Sequence, residues 1–230
     1  MVSSVNKERK IYIVGRGGTG YVNWMQAKIV DNLADANLVL FTGGEDVTPE
    51  LYGAPAHPKT GNNKQRDDFE SVMYGKAKDL GLPCLGICRG SQFLCVKSGG
   101  SLIQHQDNPL FKHNIETYDG QTLEITSTHH QAQYPYELPS NSYSLLAWSK
   151  GISAYHEDGN QQEMPLPEGK EAEIVYYRDT NCLCIQGHPE MMFDPDHKTI
   201  MYLRRLLLAF SQGFLDDYIQ TKKYASQQLI

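Results

Sequence analysis

The chain has 230 residues, a formal net charge of −6, 40% hydrophobic residues and 21% charged residues. These values exclude a disordered, collagenous or coiled-coil chain, and the acidic balance argues against nucleic acid as a partner. The apolar stretches, such as residues 206–210, fall far short of the roughly 20 residues that span a bilayer, and residues 1–10 lack the apolar segment of a signal peptide. The expectation is therefore a soluble cytoplasmic protein with no membrane partner. Its five cysteines are odd in number and unpatterned, and read as thiols.

No repeat, low-complexity tract or long linker interrupts the chain, so residues 1–230 are expected to form one domain with mobile ends at 1–10 and 220–230. In chain order, residues 11–14 and 27–30 read as short strands, and 38–41 as an apolar strand stopped by Gly43 and Gly44. Residues 67–80 place Phe69, Val72, Met73, Ala77 and Leu80 at spacings of three and four, the pattern of one helical face. Gly81 and Pro83 follow as a C-terminal stop. Residues 83–87 read as a buried strand and 91–97 as a helix closed by Gly99 and Gly100. Further strands are expected at 123–126, 143–148, 173–177 and 182–186, the last two joined by a turn at 178–181. A final helix is expected at 199–218. Continuous apolar strands separated by helices predict an α/β fold in three layers. Its central sheet would be mostly parallel and flanked by helices, with an added antiparallel region.

The segment Gly86-Ile87-Cys88-Arg89-Gly90 follows a strand and precedes a helix. It is the cysteine form of a nucleophile elbow, in which glycines permit a sharp turn that exposes the central side chain. The helix N-terminus behind it favours thiolate over thiol. A buried apolar thiol in a glycine-bordered turn fits the same segment. A base for such a thiolate is offered by His188, in His188-Pro189-Glu190 at the end of a strand. Pro189 biases His188 to an extended conformation, which puts His188 and Glu190 on one side. A solvated histidine in a turn fits equally. Gly43 and Gly44, also at a strand end, could present backbone N–H groups to a developing oxyanion or simply make a tight turn. The adjacent His129 and His130 face opposite ways on an extended segment, and neither they nor the cysteines form a four-ligand set, so no metal is expected. Residues 15–20 fit G-x-G-x-x-G. The next strand starts too soon for a dinucleotide-binding unit, so the glycines read as a mobile loop near the sheet edge and no cofactor is expected.

Taken in order, the phrases GGEDVTPELYG at 43–53, Arg66-Asp67 with Glu70, GICRGSQ at 86–92, HHQ at 129–131 and QGHPE at 186–190 resemble the class I glutamine amidotransferase superfamily. The likeness covers nearly all of 11–214, and within the superfamily it is strongest to stand-alone γ-glutamyl hydrolases of the γ-glutamyl-γ-aminobutyrate hydrolase type. It implies a flavodoxin-like fold and a small-molecule γ-glutamyl substrate. Cys88 would be the nucleophile, His188 the base and Glu190 its orienting partner, with a thioester intermediate. It further implies an oxyanion hole from the N–H groups of Gly44 and Arg89, and contacts from Gly43, Gln92, His129, His130 and Gln131 to the glutamyl moiety. Three readings stay open: a free-standing hydrolase, a glutaminase subunit feeding ammonia to a separate synthetase, and an inactive binding module. The amine released, the pathway and the oligomeric state, a homo-oligomer included, are not readable from the residues. The sequence departs from the family pattern at Phe41-Thr42, where a proline is common. It departs again at Gly187, where an aromatic is usual and where glycine predicts looser packing of His188.

Overall fold

The computed structural model describes residues 8–107 and 111–227. In chain order the first half holds strands β1 (Lys10–Val14), β2 (Lys28–Ile29), β3 (Leu38–Phe41) and β4 (Cys84–Ile87), with helices α1 (Thr19–Asn23), α2 (Lys64–Asp79) and α3 (Arg89–Lys97). The second half holds β5 (Ser101–Ile103), β6 (His105–Gln106), β7 (Lys112–Thr117), β8 (Thr122–Thr126), β9 (Ala132–Tyr134), β10 (Tyr143–Lys150), β11 (His156–Glu157), β12 (Lys170–Tyr177) and β13 (Cys182–Ile185), then α4 (Lys198–Ser211) and α5 (Leu215–Gln227). Nine strands form one sheet in the order β2-β1-β3-β4-β13-β12-β10-β7-β8. The first five of these run parallel and the remaining four antiparallel. The architecture is the expected α/β sheet flanked by helices, and its antiparallel region continues the same sheet.

Both faces of the parallel half are covered, which is why its strands are apolar without alternation. Leu38, Leu40, Leu85, Ile87, Leu183 and Ile185 point into a core shared with Leu203, Leu206, Leu207 and Phe210 of α4. Val39, Phe41, Cys84, Cys182 and Cys184 point the other way, onto Met73 and Ala77 of α2 and Phe93 and Leu94 of α3. Each fully buried Leu or Phe contributes about 1.5–3 kcal/mol. Among the described residues, no helix is long and apolar enough to cross a membrane.

Four expectations are corrected. The helix expected over 199–218 is two helices. Gly213, at φ +77°, lets its own N–H reach Phe210 and that of Phe214 reach Ala209, each at 3.0 Å, a Schellman stop that ends α4. The expected mobile tail is helical as far as Gln227; the calls on residues 1–7 and 228–230 lie outside the described residues. The apolar face expected on α2 is largely turned outward. Phe69, Val72 and Leu80 are exposed, whereas Asp67 and Glu70 are fully buried beside Met73 and Ala77, because the helix spends its inner face on ion pairs. The glycine loop at 15–18 leads into α1 and lies against the end of β3: a Cβ at Gly15 would strike the Thr42 hydroxyl.

Candidate active site

Cys88 stands between β4 and α3 with φ 51° and ψ −113°. A non-glycine residue held at positive φ costs about 1–3 kcal/mol and persists only where its surroundings fix it. Here the Cys88 N–H is tied to the Ile185 carbonyl at 2.8 Å, and its carbonyl accepts from Ser91 N–H at 2.9 Å. The flanking glycines are steric necessities. A Cβ at Gly86 would lie 2.5 Å from the Gly90 carbonyl oxygen, and one at Gly90 would strike the Phe41 carbonyl. The other four cysteines are fully buried, and Cys88 alone of the five lines a cavity with the residues below. Burial pushes the Cys95 thiol up to about 12.

His188 follows β13, the strand hydrogen-bonded to β4, so its imidazole and the Cys88 thiol come from adjacent strand ends. Its Nδ1 pairs with Glu190 Oε1 at 2.7 Å and its Nε2 with Thr128 Oγ1 at 2.8 Å. Burial works against its charge, but hydrogen bonding to Cys88 and to Glu190 prevails and holds its pKa up at about 10. The looser packing expected from Gly187 is not found. Ile125 fills the space, and a Cβ at Gly187 would lie 2.5 Å from Ile125 Cγ1 and 2.8 Å from the Thr126 carbonyl oxygen. His188 N–H bonds that same carbonyl at 2.8 Å.

The Gly43-Gly44 turn is braced by α2. Arg66 Nη2 donates to the carbonyls of Thr42 at 3.1 Å and Gly43 at 2.9 Å. Because a trans peptide sets C=O and N–H on opposite sides, this turns the Gly44 N–H away from Arg66. Gly44 has φ +147° and no room for a side chain beside the Arg66 guanidinium. Arg66 is itself fixed by Glu70 at 2.7 Å and Glu45 at 2.8 Å. The Arg89 side chain pairs with Asp67 and Glu70, so it points away from Cys88 into a buried ionic cage. What Arg89 offers the site is its backbone N–H, in the helical first turn whose donors lack intrahelical acceptors.

The 127–131 segment closes the opposite wall. Gln92 Nε2 donates to the Gln131 carbonyl at 2.7 Å, and His130 Nε2 meets Asp46 Oδ2 at 3.2 Å. That carboxylate raises the His130 pKa. His129 is turned inward onto Ser127 Oγ at 3.1 Å, and burial holds it near 4, hence neutral. Gly44, Cys88, Arg89, Gln92, His129, His130, Gln131 and His188 thus surround one cavity of about 220 Å³, together with Asp46 and Thr128. Gly43 lies at its edge. A Cβ on Gly43 would sit 3.3 Å from His188 Cε1, 3.7 Å from Cys88 Cβ and 3.1 Å from Tyr21 Oη. Tyr21, Asp46 and Thr128 were not singled out from sequence. Tyr21 follows the glycine loop directly and accepts the Gly43 N–H at 3.2 Å; Asp46 sits inside the GGEDV phrase and Thr128 directly precedes HHQ.

The profile of the Peptidase C26 family matches residues 5–163. The chain is 31% identical to the protein NtpR of Enterococcus hirae over 79% of its own length and 73% of that protein. It is 28% identical to the glutamine amidotransferase-like protein YvdE of Lactococcus lactis, over 69% of this chain and 68% of YvdE. Its fold is that of the glutaminase domain of Trypanosoma brucei CTPS, solved with bound acivicin. The TM-score is 0.55 at 12% identity, covering 89% of this chain and 94% of that one.

Proposed function

The chain belongs to the Peptidase C26 family, within the class I glutamine amidotransferase superfamily, and on that premise we propose that it hydrolyses the γ-amide of glutamine or of a γ-glutamyl amide. The observation that carries the reading is Cys88 at an enforced positive φ beside a histidine whose far nitrogen is bound to a carboxylate. The Cys88 thiolate attacks the γ-carbonyl carbon. The S–C bond forms, and the oxyanion is met by the N–H groups of Gly44 and Arg89. As the C–N bond breaks, the proton on His188 Nε2 goes to the departing amine, leaving a thioester. Water then gives a proton to Nε2 and its oxygen to the carbonyl carbon, the S–C bond breaks, and glutamate leaves. Glu190 holds His188 in the Nδ1–H tautomer throughout and stabilises the imidazolium. Gln92 and residues 129–131 cradle the glutamyl end.

Among substrates, γ-glutamyl amides of small amines are preferred here, following the likeness to stand-alone γ-glutamyl hydrolases. A second reading, a glutaminase supplying ammonia to a separate synthetase, is favoured by the fold shared with the CTPS glutaminase domain. The test is glutamate release from glutamine and a panel of γ-glutamyl amides, with intact-protein mass spectrometry for a thioester on Cys88. Release from the isolated protein supports the hydrolase. Activity that appears only when a synthetase is added supports the second reading, and no thioester with any substrate overturns both.

A further inference from the structure

His188 carries one hydrogen or one lone pair on Nε2, directed in the plane of the ring. Nδ1 is committed to Glu190, so every proton this histidine moves must pass through Nε2. In this structure that position meets the Thr128 hydroxyl at 2.8 Å, next to the Cys88 sulfur that also bonds the ring. Thr128 is solvent-exposed and lines the cavity beside Cys88, so its side chain is not there to fill the core. It reaches His188 because the end of β8 is pinned to the base, the His188 N–H bonding the Thr126 carbonyl at 2.8 Å.

We propose that Thr128 is a positioning residue for the acid–base step: its hydroxyl holds Nε2 of His188 on the side of the cavity from which an amine departs and water arrives. The proposal rests on the hydrolytic reading above. When His188 is an imidazolium, its Nε2–H lies between the Cys88 sulfur and Thr128 Oγ1, and donation to the hydroxyl draws it toward the cavity. When His188 is neutral, the hydroxyl reverses and donates to Nε2, keeping the ring from turning. A serine preserves both states; a valine, of nearly the same shape, preserves neither. A hydrogen bond to a charged partner is the stronger of the two, so the hydroxyl favours the protonated ring.

The experiment compares Thr128→Val and Thr128→Ser with the unaltered chain, using the γ-glutamyl amide most active with it. Thr128→Val should lower kcat about tenfold, a fraction of the ~10²–10⁴ that acid–base help supplies, with KM changed less than about twofold; Thr128→Ser should restore kcat. A second readout needs no substrate. In ¹⁵N-histidine-labelled protein, the His188 titration midpoint should fall by about half to one pH unit in the valine variant and return in the serine variant. The groups acting on His188 in that titration are Cys88 and Glu190 and the neutral His129, with Tyr21 of α1 beside Cys88 and Glu190, all unchanged by the substitution. Unaltered kcat in Thr128→Val, an unmoved midpoint, or a serine variant as impaired as the valine one overturns the proposal. If the unaltered chain releases glutamate from no substrate, the hydrolytic reading fails, and the titration alone decides whether Thr128 acts on His188.

Discussion

The two halves of the sheet differ in what their strands bury. The parallel half, β2-β1-β3-β4-β13, buries apolar side chains on both faces and sends its carboxyl ends to the site: Gly43 and Gly44 from β3, Cys88 from β4, His188 from β13. The antiparallel half also buries apolar side chains, such as Ile115, Ile125, Leu146 and Ile174, but adds charge among them. His113 on β7 pairs with Glu173 on β12 at 2.6 Å, and Ser149 on β10 donates to the same carboxylate at 2.9 Å. Ser153 donates from its N–H to Glu171 at 3.1 Å. This half contributes the cavity wall at 127–131. The difference teaches that Cys88 and His188 hang from strand ends whose own side chains are apolar, while the half that carries the 127–131 wall holds polar pairs on its strands.

That contrast can be broken in order of effect. At the top, Cys88→Ala should abolish glutamate release, and His188→Ala should lower it by ~10²–10⁴-fold. Glu190→Gln, which keeps a hydrogen bond but loses the charge, should cost clearly less and let thioester accumulate in the mass spectrum. Next, Arg89→Met removes the cation from between buried Asp67 and Glu70 and should cost about 3–5 kcal/mol in urea unfolding, as an orphaned buried charge does. In the polar half, Glu173→Gln should cost about 1–3 kcal/mol yet leave iodoacetamide labelling of Cys88 first among the five cysteines. Labelling of Cys84 or Cys184 first would erase the distinction between the halves. A pH experiment isolates His188. Its folded pKa near 10 lies above the ordinary histidine value of about 6.5, so its stabilising contribution is full below about pH 6.5 and lost as the pH rises through 10. The urea-midpoint gap between the unaltered chain and His188→Ala should shrink across that window. Smallest of all, Phe69→Ser on the outward face of α2 should move stability by less than about 0.5 kcal/mol.

How much of this was legible follows from where each constraint acts. The elbow could be read because its glycines answer a local steric demand, and the Cys88, His188 and Glu190 positions fall at strand ends that apolar runs already mark. The outward turn of Phe69, Val72 and Leu80 was not legible, because periodicity assigns apolar residues inward and the competing ion pairs involve Arg89, on a different helix. Strand β7 was missed for a related reason: it alternates buried and exposed, but its inner face carries His113 and Thr117 with Ile115, so hydrophobicity alone does not show the period. Thr128 and Tyr21 owe their places to contacts spanning 60 and 22 positions, and nothing in their own neighbourhood announces them.

The pairing of β4 with β13 has a consequence for how the protein is born. Cys84 lies opposite Cys182, so two strands about a hundred residues apart must find each other before thiol and imidazole can meet, and closing so long a loop is entropically slow. Because the Cys88 N–H is held by the Ile185 carbonyl, the strained elbow itself gains its anchor only when β13 arrives. Cys88 and His188 are therefore brought together only when the last strand enters the middle of the sheet.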